Sequence, residues 1–152
     1  MYSIEEYDRE KTKVLKYVIY KKRTIREIKT KFKPTIEENM LEDIIEELKE
    51  NGYISDENYI KRAVNEYMAL RNLSIKEMKY KLAAKGISSS MIEDYISKNS
   101  EKLEEYEQKS ADNIVLRKSS SLDEAQIKGY LLKKGYSEES IRNAMEKKKN
   151  KI

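Results

Sequence analysis

The stretch Ser74-Ile-Lys-Glu-Met-Lys-Tyr-Lys-Leu-Ala-Ala-Lys-Gly-Ile87 decides the fold, because it holds the start, the apolar face and the end of one helix. Ser74 and Glu77 have the spacing of a capping box, in which each side chain bonds the free backbone N–H of the other residue. Gly86 stands where a left-handed glycine commonly ends a helix. Apolar residues recur between them every three or four positions: Ile75, Met78 and Leu82. The stretch therefore predicts one short amphipathic helix.

The same pattern occurs about fifty residues earlier and about fifty residues later. Thr24-Ile-Arg-Glu-Ile28 has the hydroxyl and the glutamate of the same capping box, and its apolar face continues to Phe32. Leu131-Leu-Lys-Lys-Gly-Tyr-Ser137 matches Leu82-Ala-Ala-Lys-Gly-Ile-Ser88 at a distance of 49 residues. A period of this length indicates one supersecondary unit copied in tandem. We therefore expect an all-α fold of three tandem three-helix-bundle repeats that form an elongated, curved molecule.

The period also predicts the extent of each repeat and several helix ends. The repeats are predicted to cover residues 1–54, 55–99 and 100–152, the last with the basic tail Lys147-Lys148-Lys149-Asn150-Lys151. We expect the first helix to begin at Tyr7. Pro34 predicts a break after the second helix, so that the third begins at Thr35 with Thr35 and Glu38 as a capping pair. In the last repeat, we expect the second helix to begin at Ser121.

Composition excludes several kinds of chemistry. The 152 residues include no His, Cys or Trp, so thiol catalysis, catalytic triads and zinc fingers are excluded. Neighbouring acids such as Glu46 and Glu47 point in different directions on a helix, which is typical of solvated side chains and not of a catalytic pair. We therefore expect a binding protein and not an enzyme, with no cofactor and no metal site.

The same composition bears on location. Cysteine, a signal peptide and an apolar run near eighteen residues are all lacking, which favours a soluble protein of a reducing compartment. Charged residues make up 39% of the chain and apolar residues 38%, so several small cores are favoured over one large core. We expect a cytoplasmic monomer that makes no contact with a membrane.

Charge follows the repeat. From Glu10 to Lys33 there are ten Lys or Arg and two Glu, whereas from Glu37 to Glu57 there are nine acids and one Lys. A solvated helix face, or a nucleotide bias of the source, would explain the basic residues without any function. Segregation of the two signs instead favours a surface that faces phosphates or an acidic partner. Both explanations stay open on charge alone.

Twelve tyrosines accompany the basic residues, and an exposed ring beside a basic surface can stack on a nucleic-acid base. Most of them fall on apolar faces, where the ring packs and the hydroxyl reaches water. Those nearest the basic helices are the candidates for base stacking: Tyr20, Tyr80 and Tyr130.

Two segments resemble a known family, the RecX regulatory proteins, which act on the RecA recombinase. They are Leu48-Lys-Glu-Asn-Gly-Tyr-Ile-Ser-Asp56, followed by Tyr59, and the stretch from Ser74 to Ile87. The resemblance extends over nearly the whole chain, and the family's plan of tandem three-helix repeats agrees with the period found above. One departure is local: the glycine that the family commonly has shortly before the second helix of the middle repeat is replaced around Asn72.

The resemblance implies a non-enzymatic negative regulator of RecA. Such a protein binds the RecA filament on single-stranded DNA along its helical groove, and binds double-stranded DNA more weakly. It inhibits ATP hydrolysis, strand exchange and filament growth, and so regulates homologous recombination, DNA repair and the SOS response. Our hypothesis is that eleven cations face the nucleoprotein surface: Lys21, Lys22, Arg23, Arg26, Lys29, Arg71, Lys76, Lys79, Lys81, Lys128 and Lys133.

Two other interpretations remain. The first is a general lysine-rich helical DNA-binding module without a RecA partner, since short helices joined by tight turns resemble helix-turn-helix units. Of the 32 basic residues 25 are Lys, which favours contact with the phosphate backbone over recognition of base sequence. The second is a protein adaptor of the tetratricopeptide class, but its period would be about 34 residues and not fifty.

Overall fold

The computed structural model describes residues 2–150, which form helices joined by short turns, with no strand in that range. The helices are α1 Ile4–Tyr20, α2 Ile25–Phe32, α3 Glu38–Glu50, α4 Asp56–Leu70, α5 Ile75–Ala84, α6 Ser89–Lys98, α7 Ser100–Lys118, α8 Glu124–Lys134 and α9 Glu138–Asn150. The prediction of an all-α fold is confirmed. Met1 in the first predicted repeat, and Lys151 and Ile152 in the last, lie outside the described residues. Within residues 2–150 no helix is both long and apolar enough to cross a membrane.

Both capping boxes that define the repeat are present. The hydroxyl of Thr24 accepts from the backbone N–H of Glu27, and the hydroxyl of Ser74 accepts from that of Glu77. Each glutamate carboxylate in turn accepts from the backbone N–H of its hydroxyl residue. The helices α2 and α5 therefore begin where the sequence predicts.

Three predicted helix starts are wrong, two of them in the first repeat. The first helix begins at Ile4 and not at Tyr7, because the Ser3 hydroxyl caps it. The helix α3 begins at Glu38, because its N-cap is Glu37, whose carboxylate accepts from two backbone N–H groups. Thr35 instead lies in the turn after α2, where its N–H donates to the carbonyl of Phe32.

The helix α8 begins at Glu124 and not at Ser121. The N–H of Ser121 donates to the carbonyl of Lys118, so this residue belongs to the turn that ends α7. Asp123 and Gln126 form the capping box that starts α8. An Asp and a Gln replace the hydroxyl residue and the Glu of the other boxes, so different residues form the same hydrogen bonds.

Buried apolar side chains fall into three clusters, numbered here in chain order. The first cluster lies among α1, α2 and α3 and includes Val14, Ile28 and Ile44. The second lies among α4, α5 and α6 and also includes Leu103 of α7. The third joins the rest of α7 to α8 and α9, and includes Ile114 and Leu131. The helix α7 contributes to two clusters and so links them. The predicted repeat limits stay a prediction.

Two equivalent junctions hold neighbouring clusters together. At the first junction, the Thr24 hydroxyl donates to the carbonyl of Lys85 over 2.6 Å. At the second, the Ser74 hydroxyl donates to the carbonyl of Lys134 over 2.7 Å. The N-cap hydroxyl of one helix thus bonds the last turn of a helix about sixty residues away. The same hydroxyl group both starts a helix and joins two clusters.

Carboxylates and glycines complete the junctions. Asp56 accepts from the N–H of Ile25 over 3.0 Å at the first junction, and Glu107 accepts from the N–H of Ile75 over 2.9 Å at the second. Gly86 packs against the side chain of Arg26, and Gly135 packs in the same way against Lys76. The end of α5 therefore packs against the start of α2, and the end of α8 packs against the start of α5.

Candidate nucleic-acid-binding surface

A groove lies at the second junction, between α5 and the end of α8, and encloses about 810 Å³. We call it the lysine groove. It is lined by Tyr67, Lys76, Glu77, Tyr80, Lys81, Ala84, Lys85, Lys133 and Lys134. The junction creates it, because the bond from Ser74 to Lys134 brings the last turn of α8 against the first turn of α5.

The lysine groove is strongly positive. Five of its nine residues are Lys, and Glu77 is its one acid. That carboxylate is already used by the fold, since it accepts from the N–H of Ser74 and pairs with Lys134 over 3.2 Å. Among residues 2–150 no carboxylate lies within ion-pair distance of Lys76, Lys81 or Lys133. Three cations are therefore available to an anion that enters the groove.

Two tyrosines flank these cations. Tyr80 is 77% exposed, so its ring is accessible to a base. Tyr67 is half-buried, and burial is the main cause that raises the pKa of its hydroxyl, with a smaller contribution from Glu66. The Tyr67 hydroxyl therefore stays protonated at neutral pH and can donate a hydrogen bond.

Predicted residues come together here from separate parts of the sequence. Lys76, Lys81 and Tyr80 lie on α5, and Lys133 reaches the same groove from α8. Two further predicted residues, Lys22 and Arg23, line a second concave site beside α4. Arg71 lines a third, where the acids Glu105 and Asp112 accompany it.

Several predicted cations already have partners within the protein. The guanidinium of Arg26 donates to the carbonyl of Ala84 over 2.8 Å, so it helps to close the first junction. Lys79 pairs with Glu93 over 3.1 Å, and Lys128 pairs with Glu124 over 3.6 Å. An anion would compete with these bonds for the three cations.

The remaining predicted residues are on the surface. Lys21, Lys29 and Tyr20 are exposed, and the Tyr20 side chain is 85% exposed at the end of α1. The ring of Tyr130 has the ammonium of Lys118 at 4.5 Å from its centroid. Participation of these residues in binding stays a prediction.

Sequence reasoning missed the two other lysines of the lysine groove, Lys85 and Lys134, and its half-buried Tyr67. Lys85 and Lys134 each precede the glycine that ends a second helix, so the alignment of repeats contained a signal for both. Tyr67 carried no such signal, because its helix position is typical of a core residue. Within residues 2–150 no group of three His, Cys, Asp or Glu side chains is arranged to hold a metal ion.

Comparisons with known proteins agree on one family. The chain is 31% identical to the regulatory protein RecX of Staphylococcus carnosus, over 87% of this chain and 51% of that protein. It is 31% identical to the regulatory protein RecX of Staphylococcus epidermidis, over 95% of this chain and 57% of that protein. The crystal structure of RecX from Lactobacillus salivarius superimposes with a TM-score of 0.80 at 27% identity, over 95% of this chain and 97% of that one. No family model matches.

Fold and surface define an all-α protein in which a lysine-lined groove lies where two hydrophobic clusters meet. The chain is similar to RecX regulatory proteins in sequence and in fold, and the resemblance found in its sequence is confirmed. It spans about half the length of the curated relatives that it matches.

Proposed function

We propose that this chain regulates a RecA recombinase by binding the filament that the recombinase forms on single-stranded DNA. The observation that carries the proposal is the lysine groove, in which three cations without carboxylate partners among residues 2–150 stand beside an exposed tyrosine. Relatives that match over most of this chain are named regulatory proteins, which supports a regulatory role.

The chemistry of the lysine groove suits a single strand. Ammonium groups attract phosphates as point charges without selecting a base sequence. Tyr80 offers an exposed ring to an unpaired base, and base stacking on a ring of this kind is worth about 1–3 kcal/mol. Bases of a duplex are already stacked and paired, so we propose weaker binding to double-stranded DNA.

The arrangement of the helices suits a long target. We propose that three tandem repeats form an elongated, curved monomer that lies along the helical groove of the filament. Several weak contacts made by linked units bind far more tightly than any one of them, because the later contacts form within one complex. Bound there, the protein would inhibit ATP hydrolysis, strand exchange and filament growth, and so regulate recombination, repair and the SOS response in the cytoplasm.

The proposal is tested by the ATPase activity of the cognate recombinase on single-stranded DNA. The DNA is kept in excess, and the chain is titrated at two salt concentrations. We expect inhibition at substoichiometric amounts of the chain. The double variant Lys81→Glu/Lys133→Glu should need at least tenfold more protein for the same inhibition, since two groove cations become anions.

A control variant carries the same change of net charge elsewhere. Lys98→Glu/Lys102→Glu alters the last residue of α6 and a lysine in the first turn of α7, neither of which lines the lysine groove. We expect this variant to inhibit like the unmodified chain. Equal loss in both variants would reduce the effect to net charge. An ATPase that never responds, together with salt-sensitive binding to bare DNA, would leave the general DNA-binding module instead.

A further inference from the structure

A second concave site, outside the lysine groove, lies at the start of α4 and encloses about 330 Å³. We call it the cation pocket. Three segments meet there: the turn between α1 and α2, the turn between α3 and α4, and the first two turns of α4. It is lined by Lys22, Arg23, Gly52, Tyr53, Ser55, Asn58, Tyr59, Lys61 and Arg62.

The cation pocket contains four cations and no acid. Among residues 2–150 none of Lys22, Arg23, Lys61 and Arg62 is in an ion pair. Four like charges around one cavity repel each other, and this repulsion is relieved when an anion enters. The electrostatics of the pocket therefore favour a negatively charged ligand.

Arg23 adds an observation that is independent of charge. Its Nε is buried, and no group of residues 2–150 accepts a hydrogen bond from it. The guanidinium lies 4.1 Å from the centroid of the Tyr17 ring, which holds it in place. Buried donors in folded proteins almost always have an acceptor. An oxyanion in the pocket would supply one.

The equivalent site at the next junction shows that the junction itself does not require this charge. That site is lined by residues that include Arg71, Lys102, Lys109, Glu105 and Asp112. There Lys109 pairs with Glu105 over 3.2 Å, and Asp112 pairs with Lys147 over 2.7 Å. The second site thus places two acids beside its three cations, whereas the cation pocket has four cations and no acid.

We propose that the cation pocket binds a phosphate of a single-stranded nucleic acid, with the Nε–H of Arg23 donating to a phosphate oxygen. A guanidinium matches the geometry of a phosphate, and neighbouring lysines add point charges. Tyr53, which is 44% exposed at the rim, offers a ring to the adjacent base. The inference rests on the proposed function, because the strand in question is the one that the recombinase coats.

The test follows the side-chain N–H signals of the seven arginines by nuclear magnetic resonance in the full chain. A short oligothymidylate is titrated, and the signal of Arg23 is identified by its loss in Arg23→Lys. We expect this signal to move as the Nε–H gains an acceptor. Inorganic phosphate at the same phosphate concentration should move it less, because it has no base to stack on Tyr53.

A charge-reversal pair tests the pocket by affinity. Lys61→Glu/Arg62→Glu should weaken binding of the oligothymidylate about tenfold or more, since two phosphate partners are reversed. The control Lys102→Glu/Lys109→Glu changes the equivalent site equally and should bind within twofold of the unmodified chain. An Arg23 signal that does not move overturns the inference, as does equal weakening in both variants. Displacement of the oligothymidylate by equimolar inorganic phosphate would also overturn it, because the site would then prefer free phosphate.

The recombinase ATPase separates this inference from the proposed function. If the chain inhibits the ATPase but the Arg23 signal does not move, the proposed binding of a phosphate in the cation pocket is wrong and the regulatory function stands. If the Arg23 signal moves and the ATPase does not respond, the phosphate site stands and the regulatory function is wrong.

Discussion

Arg71 is the one residue other than glycine that has a positive φ in residues 2–150, at 57°. It ends α4, and its carbonyl accepts from the hydroxyl of Ser110, which fixes the backbone in this conformation. A side chain in the left-handed region costs about 1–2 kcal/mol, and part of this is offset because glycine loses more backbone entropy on folding. We therefore expect Arg71→Gly to raise the free energy of unfolding by about 0.5–1 kcal/mol.

Urea denaturation measures this change, and two variants control for it. Arg71→Ala removes the charge but keeps the Cβ, so no gain is expected. Asn72→Gly places a glycine at a position where φ is not positive, so it should lower stability. A gain in Arg71→Ala as large as in Arg71→Gly would show that charge and not backbone strain is the cause.

The partly buried carboxyl of Asp56, at the first junction, should make the free energy of unfolding depend on pH. Burial raises the pKa of its carboxyl above the ordinary 3.8, and the hydrogen bond from the N–H of Ile25 offsets part of this. Because the folded chain then holds this proton more tightly than the unfolded chain, its contribution to stability falls as pH rises from 3.8 through the raised pKa. Above that pKa it is constant.

The Asp56→Asn variant lacks this titration. We expect the unfolding free energy of the variant, relative to the unmodified chain, to increase with pH across that window and then to level off. Urea denaturation at a series of pH values measures it. Glu57→Gln, an exposed neighbour on α4, is the control and should show no such increase. A relative stability of Asp56→Asn that falls across the window would contradict the prediction.

At the scale of helices, Glu107 ties three elements together. It is 3% exposed, and its two carboxylate oxygens accept from the N–H of Ile75 on α5 and from the N–H of Ser137 at the start of α9. A glutamine has one acceptor oxygen, so one of these N–H groups would face an NH₂ group. We expect Glu107→Gln to lower the free energy of unfolding by about 2–3 kcal/mol.

Hydrogen exchange shows where the Glu107→Gln variant loses its bonds. The amides of Ile75 and Ser137 should exchange faster, while amides of the first cluster stay protected. The control is Glu104→Gln, which is exposed on the same helix and should change stability by less than about 0.5 kcal/mol. Equal effects of the two substitutions would show that Glu107 acts only through helix charge.

The spacing between helices depends on Gly86. Gly52 and Gly86 both have positive φ, at 81° and 95°, so alanine is strained at each. A Cβ at Gly52 would meet nothing within 4 Å, whereas a Cβ at Gly86 would lie 2.5 Å from the Cβ of Arg26. We expect Gly52→Ala to cost about 1 kcal/mol and Gly86→Ala at least about 1 kcal/mol more. Denaturation in urea measures both, and equal costs would mean that the first junction moves apart freely.

Helices could be predicted where local chemistry is complete. The capping boxes at Thr24 and Ser74 gave correct starts, because an N-cap is a bond between near neighbours in sequence. Thr35 failed, since two acids follow it and the carboxylate of Glu37 bonds two N–H groups at once. The second bond of each N-cap hydroxyl, to a carbonyl about sixty residues away, leaves no local pattern and could not be predicted.

At the scale of the whole molecule, the sequence located cations but not their assembly. Lys76 and Lys81 were predicted because they lie in a basic stretch, but the groove exists only because α8 brings Lys133 opposite them. The cation pocket shows the same limit. Lys22 and Arg23 were predicted as site residues, whereas Lys61 and Arg62 of α4 were not.

Salt dependence tests whether both sites bind one strand. The slope of log affinity against log salt for a single strand changes by about 0.7 for each phosphate contact. We therefore expect Lys81→Glu/Lys133→Glu and Lys61→Glu/Arg62→Glu each to reduce the slope for a long oligothymidylate by about 1.4.

The two sites share no residue, so the quadruple variant should lose the sum of both changes, because distant and independent changes add. The slopes are measured by fluorescence anisotropy, with the two lysine-to-glutamate changes at Lys98 and Lys102 as the control for net charge. If the quadruple variant loses no more than either double variant, the lysine groove and the cation pocket do not hold the same strand at once, and the linked contacts proposed for the filament would have to be made by protein and not by DNA.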